Sequence, residues 1–297
     1  VTDWNRRSFL GASLMSPALT LAPSPAAGSA LGDAGNRPEI IDTHVYLSPW
    51  PTRRMDCDGA AEHVALLRQH GVTQAWAGSF DALLHKDVSA VNSRLVRECR
   101  EHGAGFLIPF GAINPKLPDW EEDLRRCQEE FGMPGIRLHP NYHNYTVSDP
   151  DFLRLLRLTA ERRLIVQIVP WMEDERCMNP VLRVPTADLS ALPSVLEEAP
   201  QARIAVMNGI TSVGWSEQPP LRFPKARRVV FDIAILEGMM DLRGLVAAVG
   251  LEHIVFGSYS PMFYFESAAL KLREAALTDT ETRAVLSENA RRLLTWS

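Results

Sequence analysis

From Ile40 onward the chain alternates short apolar runs with longer stretches in which apolar residues recur every three or four positions. This is the pattern of parallel strands joined by helical crossovers. Eight runs qualify as strands: 40–47, 73–80, 105–113, 135–139, 164–169, 203–208, 229–236 and 254–259. They are β-branched or aromatic, and several run into Gly, Pro or Asn, as strands that feed functional loops do. The periodic stretches predict helices over 60–70, 88–102, 120–131, 152–163, 189–198 and 242–249. Gly71, Gly103 and Gly132 follow the first three, and glycine accepts the left-handed cap that ends a helix. Helices at 268–276 and 280–294 close the chain, the second capped by Thr278 or Thr280. The crossover at 210–228 is rich in Pro and Gly, has little helical period, and predicts a long loop.

Eight strand–crossover units predict an α/β fold, a single-domain (β/α)8 TIM barrel. An open doubly wound sheet fits less well, because no Gly-rich dinucleotide fingerprint follows the first strand. A chain of 297 residues with 46% hydrophobic content can bury one such core. The barrel is assigned to residues 37–297. Residues 1–36 read as an address and linker: Arg6-Arg7-Ser8-Phe9-Leu10, an apolar run at 11–22, then small residues ending near Gly28-Ser29-Ala30. They resemble a twin-arginine export signal, which predicts an exported protein. Pro17 breaks the run, which falls short of the about 20 apolar residues that span a bilayer, so no stable membrane anchor is expected. A net charge of −5 offers no basic footprint for nucleic acid. Cys57, Cys99, Cys127 and Cys177 form no C-x-x-C pair and are read as separate thiols.

In such barrels chemistry sits at the C-terminal ends of the strands. Period-two alternation in the first strand puts Asp42, His44 and Tyr46 on one face, the barrel interior. The fourth projects Arg137 and His139 together and continues into Tyr142 and His143. A buried Arg beside two His is costly without a partner. Arg137 is therefore a candidate to hold an anionic group, with an internal ion-pair network as the alternative. A charged cluster after the fifth strand contains Glu173 and Arg176, which suit a base and a carboxylate clamp. Asn208 ends the sixth strand, Asp232 lies on the seventh, and Tyr259 ends the eighth. Asp232 is equally a structural acceptor. Phe263, Tyr264, Phe265 and Glu266 suit a pocket wall, though core packing accounts for the two Phe as well.

Ile41-Asp42-Thr43-His44, Asn92, Phe110-Gly111-Ala112-Ile113-Asn114-Pro115, Gly135-Ile136-Arg137-Leu138-His139-Pro140, Phe256-Gly257-Ser258-Tyr259-Ser260-Pro261 and Glu288-Asn289-Ala290-Arg291-Arg292-Leu293-Leu294 follow one another in an order that resembles the amidohydrolase-related family of metal-dependent hydrolases and decarboxylases. That pattern has His-x-His on strand one, His at the ends of strands five and six, and Asp at the end of strand eight. Here His44 matches, but Tyr46, Gln167, Asn208 and Tyr259 stand at the other positions. Amide and phenol side chains are poor zinc ligands, so no cofactor is expected. A site rebuilt from His44, His139, His143 and Glu173 is the arrangement in which zinc or manganese would return.

The resemblance implies a hydrolase acting on a small, carboxylate-bearing substrate without the usual metal. His44, Arg137, His139 and Glu173 would carry the chemistry. Tyr46, Tyr142, His143, Arg176, Asn208, Asp232 and Tyr259 would hold the substrate. Two alternatives stay open: a barrel that binds a ligand or partner without catalysis, and a metallohydrolase or decarboxylase with rearranged ligands. A homo-oligomer is compatible with either.

Overall fold

The computed structural model describes residues 38–57, 59–210, 228–237 and 241–295. The predicted export signal and residues 211–227 of the predicted loop lie outside them. Nine parallel strand segments follow in chain order: β1 (Ile40–Leu47), β2 (Val72–Ser79), β3 (Leu107–Pro109), β4 (Gly111–Ala112), β5 (Gly135–Leu138), β6 (Ile165–Ile168), β7 (Arg203–Val206), β8 (Val229–Asp232) and β9 (Ile254–Val255). They pair as β1-β2-β3 and as β4-β5-β6-β7-β8-β9.

Two sets of hydrogen bonds join these sheets into a ring. β3 and β4 are halves of one predicted strand, interrupted at Phe110, whose N–H donates to the Ala77 carbonyl of β2 at 2.8 Å. The chain beyond β9 returns to β1. The Thr43 N–H donates to Phe256 at 3.0 Å, Tyr259 donates to His44 at 2.8 Å, and Tyr46 donates to Ser260 at 3.0 Å. The eight predicted runs are therefore the eight staves of a (β/α)8 barrel.

The core has two layers. Leu67, Leu95, Leu124, Phe152, Leu155, Leu192, Leu245 and Leu272 fill the space between strands and helices, each worth about 1.5–3 kcal/mol of removed apolar surface. Ile41, Trp76, Phe110, Ile165, Met207, Val230 and Val255 form an inner cluster with Tyr46 and Tyr259. Ala290 and Leu293 belong to the same inner cluster, and Arg203 at the start of β7 donates to the Leu293 and Leu294 carbonyls. The last helix therefore floors the barrel, opposite the strand ends that carry the candidate site.

The predicted terminal helix is three pieces: Asp279–Arg283, a wide turn over Ala284–Glu288, and Asn289–Thr295. The wide turn has a use, since the Val285 carbonyl accepts the Phe256 N–H at 2.9 Å. Thr278 is the cap, in a reciprocal box with Glu281. The predicted helix at 189–198 begins only at Leu192, with a Pro in its first turn. None of the four cysteines is in a disulfide. No helix among the described residues is long and apolar enough to cross a membrane.

Candidate active site

The seam where β1 meets the last strand holds a buried acid–base pair. His44 Nδ1 lies 2.7 Å from Asp232 Oδ2, both side chains sealed from solvent. The other oxygen of Asp232 accepts the Asn208 backbone N–H at 2.8 Å. With the carboxylate oxygen as acceptor, Nδ1 of His44 carries the proton and Nε2 presents its lone pair. That Nε2 has no hydrogen-bond partner. Burial pushes the His44 pKa down to about 4, against the pull of Asp232, so the ring is neutral near pH 7. The pair needs Gly257, because a Cβ there would lie 3.0 Å from His44 Cβ and from Asp232 Cβ and Oδ2.

Neighbouring groups complete this side. Tyr259 stacks on His44 with ring centroids 4.7 Å apart. Tyr259 and Asn208 both take left-handed backbone conformations, φ 60° and 50°; a bulky residue rarely adopts this, and it marks strand ends bent to aim groups at a site. Asp42 Oδ1 accepts the N–H groups of His44 (3.1 Å) and Ser258 (3.0 Å), and its Oδ2 has no partner. Burial pushes the Asp42 carboxyl up to about 6.

Across the interior, Arg137 is held differently. Its Nε donates to Gln167 at 2.7 Å, one terminal nitrogen to the Val45 carbonyl at 2.7 Å, and the other to Trp76 at 2.9 Å and Thr43 at 3.4 Å. The guanidinium also sits 4.5 Å from the centre of the Tyr46 ring. The register of β1 against β2 shifts between Asp42 and Val45, which breaks strict alternation there and leaves carbonyls of β1 turned to Arg137. Gly78 makes room, since a Cβ would come within 2.7 Å of the guanidinium. The expected anion clamp is committed to the barrel's own carbonyls.

The remaining candidates divide. His139 Nε2 is 2.8 Å from the Tyr46 hydroxyl while its Nδ1 has no partner, and burial holds its pKa well below the usual range. His143 Nε2 donates to the Ala82 carbonyl at 2.9 Å. Glu173 is ion-paired with Arg53 in a roof over the strand ends, and burial raises its pKa. In that roof the Met172 carbonyl accepts the Tyr259 hydroxyl at 2.5 Å, and the Trp171 carbonyl accepts the Asn208 side chain at 3.1 Å. Half-buried Tyr142 packs against the inner cluster, and burial pushes its hydroxyl up to about 12. Arg176 is not brought to the site: it is 89% exposed and paired with Asp174 at 2.6 Å. Of the proposed pocket wall, Phe265 is core, Tyr264 is exposed, and Phe263 meets Tyr259 edge-on at 5.6 Å. Met172, Gly78 and Gly257 also build the site without standing out in the sequence. Glycines next to polar strand ends were the available signal for the last two.

A family profile described as Amidohydrolase matches residues 41–296. The chain belongs to that family. No curated protein matches its sequence. Among solved structures it is similar to a 2,6-dihydroxybenzoate decarboxylase from Rhizobium, with 14% identity, TM-score 0.66, and 87% and 98% of the two chains covered. It is also similar to a 5-carboxyvanillate decarboxylase from Sphingomonas paucimobilis, with 13% identity, TM-score 0.63, and 86% and 98% covered. A third is the 5-carboxyvanillate decarboxylase of Novosphingobium aromaticivorans, complexed with manganese and 4-hydroxy-3-methoxy-5-nitrobenzoic acid, with 12% identity, TM-score 0.66, and 86% and 96% covered. At these identities the likeness is one of fold.

The residues of this amidohydrolase-family chain do not suit a divalent ion at the family position. Of its donors, Tyr46, Gln167, Asn208 and Tyr259 are a phenol, two amides and a phenol, each hydrogen-bonded to a neighbour. His44 Nε2 is the one imidazole nitrogen among these five, and Arg137 bonds to Gln167 and packs on Tyr46. A divalent ion there would gain one good ligand and face a guanidinium. Nor do His44, His139, His143 and Glu173 form a rebuilt site: no group of three His, Cys, Asp or Glu suited to a metal occurs among the described residues.

Proposed function

We propose that this family member is an enzyme that cleaves a small carboxyl-bearing molecule by hydrolysis, with His44 as general base, Asp232 as the group that orients it, and no divalent metal. The observation that carries this reading is the His44–Asp232 pair with its outer nitrogen unmatched. A neutral imidazole whose tautomer is fixed by a carboxylate takes a proton from water through Nε2, and the carboxylate then stabilises the imidazolium. Tyr259 and the side-chain oxygen of Asn208, also without a partner, flank the space in which substrate would sit. A carboxyl-bearing substrate is supported by the decarboxylases of dihydroxybenzoate and carboxyvanillate among the structural neighbours. We infer export from the paired arginines of the leader; changing Arg6 and Arg7 to Lys and following the protein by cell fractionation checks it.

The test is turnover of a panel of esters, lactones and aromatic carboxylates. His44→Asn should abolish any activity found while leaving the protein folded; an unchanged rate removes the assignment. Metal analysis tests the other clause, because one bound equivalent of zinc or manganese that activity requires would restore the metallohydrolase reading. A second reading, a barrel that binds without catalysis, is favoured by the roof, beneath which His44, His139, Asn208 and Tyr259 are all buried. It predicts ligand-induced thermal stabilisation with no turnover.

A further inference from the structure

The proposed substrate carries a carboxylate, and Arg137 is not available to hold it. On the same face of the barrel, a groove of about 410 Å³ runs between the segment after β8 and the helix Phe265–Glu274. Ile235, Leu236, Phe263 and Leu270 wall it, and Ser267, Lys271, Glu237 and Glu274 supply its polar groups. Its wall residue Phe263 stands edge-on to Tyr259 at 5.6 Å, and Tyr259 stacks on His44 at 4.7 Å, so two rings lie between the groove and the acid–base pair. The half-buried ammonium of Lys271 donates to the carbonyls of Ile233 at 3.1 Å and Ala234 at 2.5 Å, the two residues that follow Asp232. An ammonium has three N–H donors. Two are engaged by these carbonyls, which fix the nitrogen, and neither of these bonds uses the third N–H, which is the one that could meet a ligand in the groove that Lys271 lines.

We propose that this groove is the outer part of the substrate site, where Lys271 holds the single carboxylate of a molecule with an apolar body. The proposal rests on the enzymatic reading above and adds where the carboxylate binds. Burial lowers the Lys271 pKa to about 8, with Asp232 and Glu237 acting to raise it, so the nitrogen is charged at pH 7. The apolar walls suit an aromatic or aliphatic body. The two acids set the selectivity: Glu237 and Glu274 are exposed and line the same groove, so a second carboxylate would meet like charge.

The test uses benzoate as the monoanion and isophthalate as the dianion, on the full chain and on its His44→Asn variant, so that binding is read apart from turnover. Benzoate should bind saturably by calorimetry and protect Lys271 from reductive methylation, read by mass spectrometry. Isophthalate should bind at least about tenfold more weakly, and Lys271→Met should weaken benzoate by a similar factor, the worth of one charge-assisted hydrogen bond. If Lys271→Met does not fold, Leu270→Glu, on an exposed wall, serves instead by adding negative charge, and should abolish benzoate binding. Absence of saturable binding, binding that leaves Lys271 unprotected, or an unchanged affinity in the variant that folds overturns the proposal. Equal binding of isophthalate overturns the one-carboxylate clause. None of these outcomes touches the His44 assignment, which stands or falls on turnover.

Discussion

Two buried charged clusters share the barrel interior and are built on opposite terms. Around Arg137, three carbonyls and an amide accept from the guanidinium, and a ring covers it. Around His44 and Asp232, three polar atoms are left without partners: His44 Nε2, Asp42 Oδ2 and Asn208 Oδ1. Leaving a buried polar atom unmatched costs about 1–3 kcal/mol. A cluster that satisfies itself serves the fold, and one that keeps unmatched atoms is prepared for something else. The same contrast explains two glycines, since Gly78 admits the guanidinium and Gly257 admits the acid–base pair.

The largest expected effect breaks the first cluster. Arg137→Met leaves the carbonyls of Thr43, Val45 and Trp76 and the amide of Gln167 without their donor, and should cost roughly 3–5 kcal/mol. Urea unfolding measures it. A loss under about 1 kcal/mol would mean that the cluster is no strut and that Arg137 is free to serve a ligand. Asp232→Asn probes the second cluster. The amide can still accept from Asn208 but offers an N–H to His44, so the ring proton should move from Nδ1 to Nε2, visible in nitrogen NMR. Stability should change by about 1 kcal/mol, while any turnover should fall roughly a thousandfold or more, as when a base is held in the wrong tautomer.

Acid should discriminate between the clusters next. His44 and His63 have folded pKa values near 4, below their ordinary 6.5, both chiefly through burial. A depressed histidine is neutral in the fold, so its contribution is whole above about pH 6.5 and is lost as pH falls toward 4. Asp42 runs the other way: its pKa is raised from 3.8 to about 6, so its folded form gains stability as pH falls through that window. His139 and His143, both also lowered by burial, act in the same direction as His44 and His63, so against the one aspartate the net loss between pH 7 and 4 should be at least roughly 3 kcal/mol. Urea midpoints across that range check it. His63 reaches Ser260 Oγ at 2.7 Å, outside both clusters, so His63→Gln should flatten the acid limb without altering the His44 tautomer.

Much of the fold was legible because each stave is a local pattern. The run Ile40–Leu47 is a strand over its full predicted length, since β-branched and apolar residues alternate with polar ones within it. The site was legible only as residue types at strand ends. His44 and Asp232 are 188 positions apart, and nothing local says that closing the ring brings β1 to within one stave of β8, with Gly257 of the intervening last stave between the two side chains. Arg137 shows the other limit. Its type suggested an anion clamp, but its acceptors are backbone carbonyls of β1 and β2, and carbonyl direction depends on a register shift that side-chain periodicity does not encode. The roof residue Met172 was invisible for a similar reason, because it acts at the mouth through its carbonyl.

The smallest predicted effect tests how far the seam depends on its support. Thr278 caps the helix Asp279–Arg283: its hydroxyl accepts the Glu281 N–H at 3.3 Å, and the Glu281 carboxylate accepts the Thr278 N–H at 2.8 Å. Thr278→Ala should cost about 1 kcal/mol, as exposed caps do. The helix leads directly into the wide turn whose Val285 carbonyl accepts from Phe256, the residue before Gly257. If the unmatched cluster is held by the barrel strands themselves, losing the cap lowers the thermal midpoint slightly and leaves the His44 nitrogen signals where they were. If those signals shift, the last helix positions the acid–base pair, and the second cluster extends to the floor of the barrel instead of ending at its mouth.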